Sequence, residues 1–95
     1  PKIALMGLAF KPNIDDLRES PAKYIVQKVL QNAQDEEYYI VEPNITSHKV
    51  FKLTDYQKAV DKADIIAFLV AHKQFKELTI ERGKQVLDFC GIMNN

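Results

Sequence analysis

The sequence predicts a three-layer, Rossmann-like α/β domain built on a mostly parallel sheet of about four strands. Three observations carry this expectation. Short apolar runs of strand length alternate with helical patterns along the chain. The first of these runs has no polar alternation after its opening lysine, as a strand covered on both faces requires. Ninety-five residues suffice for one hydrophobic core and exclude a second domain.

Residues Lys2–Met6 read as the opening core strand, stopped by Gly7. Ser20 followed by Pro21 marks a helix start: the serine oxygen caps free amides, and proline at the first helical position loses no hydrogen bond. Ala22, Ile25, Val26, Val29, Leu30 and Ala33 then fall at helical spacing on one face, which should lie on the sheet. After an acidic turn, residues 38–41 form a second strand that Glu42, Pro43 and Asn44 end. Two readings stay open for residues 44–53, where Val50, Phe51 and Leu53 suit either a short edge strand or a loop packed on the core. Thr54 with Gln57 forms a capping box for a short second helix carrying Tyr56, Ala59, Val60 and Ala63 and closed by Asp64. Residues 65–71 are the most apolar run and should be the central strand, followed by a loop or single helical turn over 72–78. Gln85–Asp88 is the last strand, and right-handed crossovers are expected between parallel strands.

Composition narrows the function classes. Hydrophobic residues at 46% and charged residues at 27% match a soluble globular protein, and no apolar run has the length that spans a bilayer. Thirteen basic residues balance thirteen acidic ones, so no global field recruits nucleic acid or an anionic membrane, and any anion must be held locally. A single cysteine, Cys90, allows no intrachain disulfide, offers no metal-ligand spacing and fits a reducing compartment; the cytoplasm is the expected location. The chain enters a strand pattern almost directly from Pro1, with no initiator methionine or signal-like segment, and is expected to be a piece of a longer protein.

Ligands of open parallel sheets collect beyond the carboxyl ends of the strands. The stretch "MGLAFKPNIDDLRESPA", residues 6–22, leaves such an end. It offers the Lys11 ammonium, the Arg18 guanidinium and the free amides of a helix start to phosphate oxygens, with Phe10 as an apolar wall. The competing reading pairs Lys11 and Arg18 with Asp15, Asp16 and Glu19 on a solvated surface, and local features alone favour it. Other candidates are weaker. Gly7, Gly83 and Gly91 make neither a G-x-G-x-x-G nor a Walker A loop. Glu42 ends the second strand as a ribose-binding acid would, but without that fingerprint it reads as a strand-end residue beside a proline turn. Asp15 and Asp16 lie too far past the strand for a phospho-receiver pair. His72 lacks a partner and reads as a packed strand-end residue. Cys90 has no evident base or cation to activate it and reads as structural.

"GLAFKPNIDDLRESPA" closely resembles the opening of the C-terminal domain of the UDP-glucose/GDP-mannose dehydrogenase family. "VEPN" at 41–44, "KADIIAFLVAHKQFKEL" at 62–78 and "VLDFCGI" at 86–92 follow in the family's order, so the resemblance spans essentially the whole chain. By overall similarity it most resembles the branch that oxidises UDP-N-acetylmannosamine. The resemblance implies a longer enzyme, with an N-terminal NAD-binding domain, a helical central region that forms a homodimer or higher assembly, and this domain closing over the UDP-sugar. It implies oxidation of the sugar's C6 alcohol by two hydride transfers to NAD, through a thiohemiacetal and a thioester on a cysteine outside this chain. No catalytic residue is therefore expected among these 95. Phe10 and Lys11 match the family's UDP-sugar-holding pair, and Arg18 matches the arginine that reaches the NAD side of the cleft. Asp16, Glu19 and Ser20 are expected to hold the loop's shape. Cys90 departs from the pattern, since many members carry there an arginine or lysine that approaches the sugar nucleotide. Two alternatives compete with a dehydrogenase domain: a free-standing phospholigand- or protein-binding module, and a piece that serves mainly assembly.

Overall fold

In a computed structural model, which describes residues 1–9, 11–13, 17, 18 and 20–92, the elements run β1 (Lys2–Met6), α1 (Pro21–Gln31), β2 (Glu37–Val41), α2 (Tyr56–Lys62), β3 (Ile65–Phe68), a 3-10 turn (Lys73–Glu77) and β4 (Gln85–Asp88). The sheet order is β2-β1-β3-β4 and every pair is parallel. Alternate strand residues feed two cores. Ala4, Met6, Val41, Ile66 and Phe68 meet Ala59, Val60 and Ala63 of the α2 region on one face, with Phe75 closing that core from the 3-10 turn. Leu5, Ile40 and Ala67 meet Val26 of α1, together with Leu8 and Phe51, on the other. Helix, sheet and helix thus form the expected three layers.

The α1 start is as the sequence dictates. Ser20 caps the helix by accepting from the Lys23 amide at 3.2 Å, and Pro21 is the first helical residue. The Ser20 hydroxyl also donates to the Leu8 carbonyl at 2.5 Å in a buried setting, which closes the base of the connection between β1 and α1. Ser20→Ala removes both bonds and leaves a buried carbonyl unanswered. A loss of about 1–3 kcal/mol is expected in urea unfolding, and a change under about 0.5 kcal/mol would contradict the pairing.

Three expectations are corrected. Ile25 is 44% exposed, because it sits at the margin of the stripe centred on the buried Ala22 and Val26. The cap of α2 is Asp55, whose carboxylate accepts from the Lys58 amide at 3.2 Å, and not Thr54. Thr54 is still extended: its amide donates to the Ile40 carbonyl at 2.8 Å beside the single parallel bridge between Ile40 and Leu53. Gln57 bonds instead to Asp61 at 2.9 Å and to the Thr79 carbonyl at 3.2 Å. Finally, β3 ends at Phe68 rather than at residue 71, since its neighbour β1 ends at Met6 and both Leu69 and Val70 amides converge on the one Met6 carbonyl. Of the two readings for 44–53, the packed loop holds for Phe51, which is buried and stacked on His48 at 4.8 Å between centroids, and for the partly buried Leu53, but Val50 turns out to solvent at 73% exposure.

Candidate functional site

The chain leaves β1 through α1 to β2 on one side, then crosses through α2 to β3 on the other. The order therefore reverses between β1 and β3, and the crevice beyond their carboxyl ends is where such a sheet takes ligand. Two connections flank that crevice, residues 7–20 after β1 and residues 69–78 after β3. They touch closely at their roots. Gly7, at φ +107°, lies so near Val70 that a Cβ on it would stand 2.7 Å from the valine Cβ.

A buried polar network ties the three strand ends together. Glu42, which follows β2, is 2% exposed, and His72, beyond β3, is fully buried. Glu42 Oε1 accepts from the Leu8 amide at 2.9 Å, the Ala9 amide at 3.0 Å and His72 Nε2 at 2.8 Å. Its Oε2 accepts from the Asn44 amide at 3.0 Å. On the other side of the ring, His72 Nδ1 faces the Asn13 backbone amide at 2.8 Å and the Asn44 side-chain amide at 3.1 Å. A backbone N–H can only donate, so Nδ1 is the acceptor and the ring proton sits on Nε2, aimed at Glu42. Burial by itself would push the Glu42 carboxyl upward; the hydrogen bonds from His72, Leu8 and Asn44 outweigh it and hold the group below the usual carboxylate range. Asn13 completes the arrangement. Its side-chain oxygen accepts from the Lys73 amide at 2.6 Å, and its φ of +64° is one that asparagine tolerates.

Lys11 and Arg18 both lie on the exposed part of the first connection, and neither is without a partner in the chain. Lys11 is two positions before Asn13, and Arg18 two before the helix cap. Phe10, Asp15, Asp16 and Glu19 fall outside the described residues. Cys90 is half-buried; burial raises its thiol, and the nearby Asp88 carboxylate adds to that, so it is no activated nucleophile. Asp88 Oδ1 accepts from the Gly91 amide at 2.9 Å and the Ile92 amide at 3.1 Å, shaping the turn in which Cys90 sits. A shallow cavity of about 540 Å³, bordered by Leu30, Tyr38, Phe51, Thr54, Lys58 and Lys62, lies along the open edge of β2. It takes in no residue of either connection flanking the crevice and is the seam between β2 and the 50–55 segment.

In the sequence Glu42 and His72 look like separate strand-end residues, and no local pattern singles out Asn13. The residues at the first turn also do not suit a dinucleotide. Both oxygens of Glu42, the acid that would hold a ribose, are taken by protein donors, and the glycine fingerprint is missing. Among the described residues no helix is long and apolar enough to cross a membrane.

A parallel α/β domain with a charged loop at the sheet's reversal point has the architecture of the open-sheet α/β ligand-binding domains. The sequence model of the UDP-glucose/GDP-mannose dehydrogenase family, UDP binding domain, matches residues 4–95, and the chain belongs to that family. It is 45% identical over 97 residues to the UDP-N-acetyl-D-mannosamine dehydrogenase of Campylobacter jejuni, covering 95% of this chain and 23% of that protein. It is 42% identical over 98 residues to the NDP-N-acetyl-D-galactosaminuronic acid dehydrogenase of Ralstonia nicotianae, covering 97% and 23%. The chain thus spans under a quarter of the length of these curated relatives. In fold it superposes on a solved GDP-mannose dehydrogenase of Pseudomonas aeruginosa with a TM-score of 0.80 at 24% identity, over 99% of this chain and 26% of that one.

Proposed function

We propose that this chain is the UDP-sugar-binding domain of an NAD-dependent dehydrogenase that oxidises the C6 alcohol of a UDP-hexose to the uronic acid, with UDP-N-acetylmannosamine as the substrate. The observation that carries the reading is the loop at the reversal point, which bears Lys11 and Arg18 and is fixed at its roots by Glu42 and Ser20. Family membership and the names of the relatives point the same way. Phe10 and Lys11 hold the UDP-sugar, and Arg18 reaches toward NAD bound mainly on another part of the polypeptide. The residues present do not form a dinucleotide cradle, so the oxidation itself belongs to that other part. The natural partners of this domain are the N-terminal and central domains of the same cytoplasmic enzyme, assembled as a homodimer or higher oligomer.

In the full-length enzyme, Lys11→Ala is expected to raise KM for the UDP-sugar, with a loss of about 1.5–3 kcal/mol for a charge-assisted contact. Unchanged steady-state kinetics would refute the assignment. Arg18→Ala, run alongside, should weaken NAD use more than sugar-nucleotide binding.

A further inference from the structure

A positively charged loop binds an anion only as well as its charges are held in place. Each unfixed residue that must be ordered on binding subtracts about 1–2 kcal/mol of backbone entropy from the affinity. The connection that bears Lys11 is closed at its base by Ser20 and Leu8 and rooted by the Leu8 and Ala9 amides on Glu42. Between those points, one described residue bonds across the crevice in both directions. Asn13 donates its backbone N–H to His72 Nδ1 at 2.8 Å and accepts at its side chain from the Lys73 amide at 2.6 Å. These partners lie 59 and 60 residues further along the chain, in the connection after β3.

The imidazole can take up this bond because its orientation is set from behind. With Nε2 donating to the buried Glu42 carboxylate, Nδ1 is turned outward as an acceptor. Glu42 therefore serves both the root of the loop, directly, and its middle, through His72 and Asn13. Asn13 suits the position for two reasons: the left-handed backbone excludes most side chains, and the short amide returns to Lys73.

We propose that Asn13 is a positioning residue that locks the Lys11 loop to the connection after β3, so that the ammonium is presented to the diphosphate of the nucleotide before it binds. Glu42 and His72 keep that lock in register. The proposal rests on the nucleotide reading above, and its test separates the two.

The substitution is Asn13→Gly, since glycine adopts the same φ and keeps the backbone N–H while deleting the side-chain carboxamide that accepts from Lys73. UDP is titrated calorimetrically into the full-length protein, into the Asn13→Gly and Lys11→Ala variants and into the double variant, with unfolding midpoints measured for each. The lock predicts that Asn13→Gly weakens UDP binding about three- to tenfold, the range of one net hydrogen bond. In the Lys11→Ala background the same change should cost less than about twofold, since residues that act as a unit are not additive. A merely structural asparagine would lower the midpoint and leave affinity unchanged, or weaken both backgrounds equally, and either result overturns the proposal. If the wild-type protein binds no UDP, the nucleotide reading falls and takes the proposal with it. If the wild type binds and Asn13→Gly binds as well, only the positioning role falls.

Discussion

Replacing Gly7 by alanine is expected to destabilise the domain by about 2–5 kcal/mol, the sum of left-handed backbone strain and overpacking. The added Cβ would stand 2.7 Å from the Val70 Cβ, 3.0 Å from its Cγ2 and 3.1 Å from its backbone nitrogen. None of these is the far end of a flexible side chain. The Gly7 amide is also committed to the Val41 carbonyl at 2.8 Å, so the backbone cannot swing away without giving up a bond to β2. Gly83 supplies the control, because its φ is +92° and nothing lies within 4 Å of its would-be Cβ. Gly83→Ala carries backbone strain alone, about 1–2 kcal/mol. Urea unfolding of the two variants should therefore separate them clearly, and equal losses would show that the approach of β1 to Val70 is not what demands glycine.

Glu42→Ala should cost about 3–5 kcal/mol, the range for breaking a buried charged network by removing one partner. It strands the buried Leu8 and Ala9 amides and the His72 Nε2 proton, and the part-buried Asn44 amide, without their acceptor. Glu42→Gln keeps the volume but turns an amide donor toward one of those donors, so an intermediate loss is expected. The two variants also test the charge. Because the native structure holds this carboxyl below its ordinary range, the unfolded chain takes up the proton at a higher pH than the folded one. The stabilisation is complete above the unfolded value and drains away as pH falls through the native one. Unfolding midpoints taken from pH 6 down to pH 3 should fall more steeply for the wild type than for Glu42→Gln. Parallel profiles would mean that the carboxylate is not the group whose protonation loosens the fold.

What the sequence made legible follows the reach of each signal. Ser20-Pro21 marks the α1 start because cap and proline act within one turn, and Gln85–Asp88 forms the strand expected of it. Family likeness, spanning many residues at once, found the class of protein that local charge patterns could not. Apart from Ile25, which lies at the margin of its own helix stripe, the differences arise from distant partners. Thr54 lost its cap role to a bond with Ile40 in the neighbouring strand, and β3 was cut short by the end of β1. Glu42 and His72 each look solitary in the sequence; they are 30 residues apart and meet only because parallel strands bring their carboxyl ends to one side. That co-location was available in principle, since a polar residue just past two strands of one parallel sheet points to a shared end. Asn13 gave a fainter sign: asparagine after a proline suggests a turn, but nothing in the sequence says which chain segment receives its bonds.

The strand order has a consequence for how the molecule is made. β1 precedes β2 and β3 in the chain yet lies between them in the sheet, and its opening residue bonds to Asp64 across 62 positions. As the chain grows from its N-terminus, β1 and β2 can meet early, but the acid at the end of β2 must wait for a histidine 30 residues later. Until then Glu42 has no imidazole and the Asn13 amide lacks its acceptor. Such long-range pairing slows folding, because chain closure must precede the contacts that reward it. His72 is thus the residue through which the acid after β2 and the connection after β1 are both tied to the connection after β3.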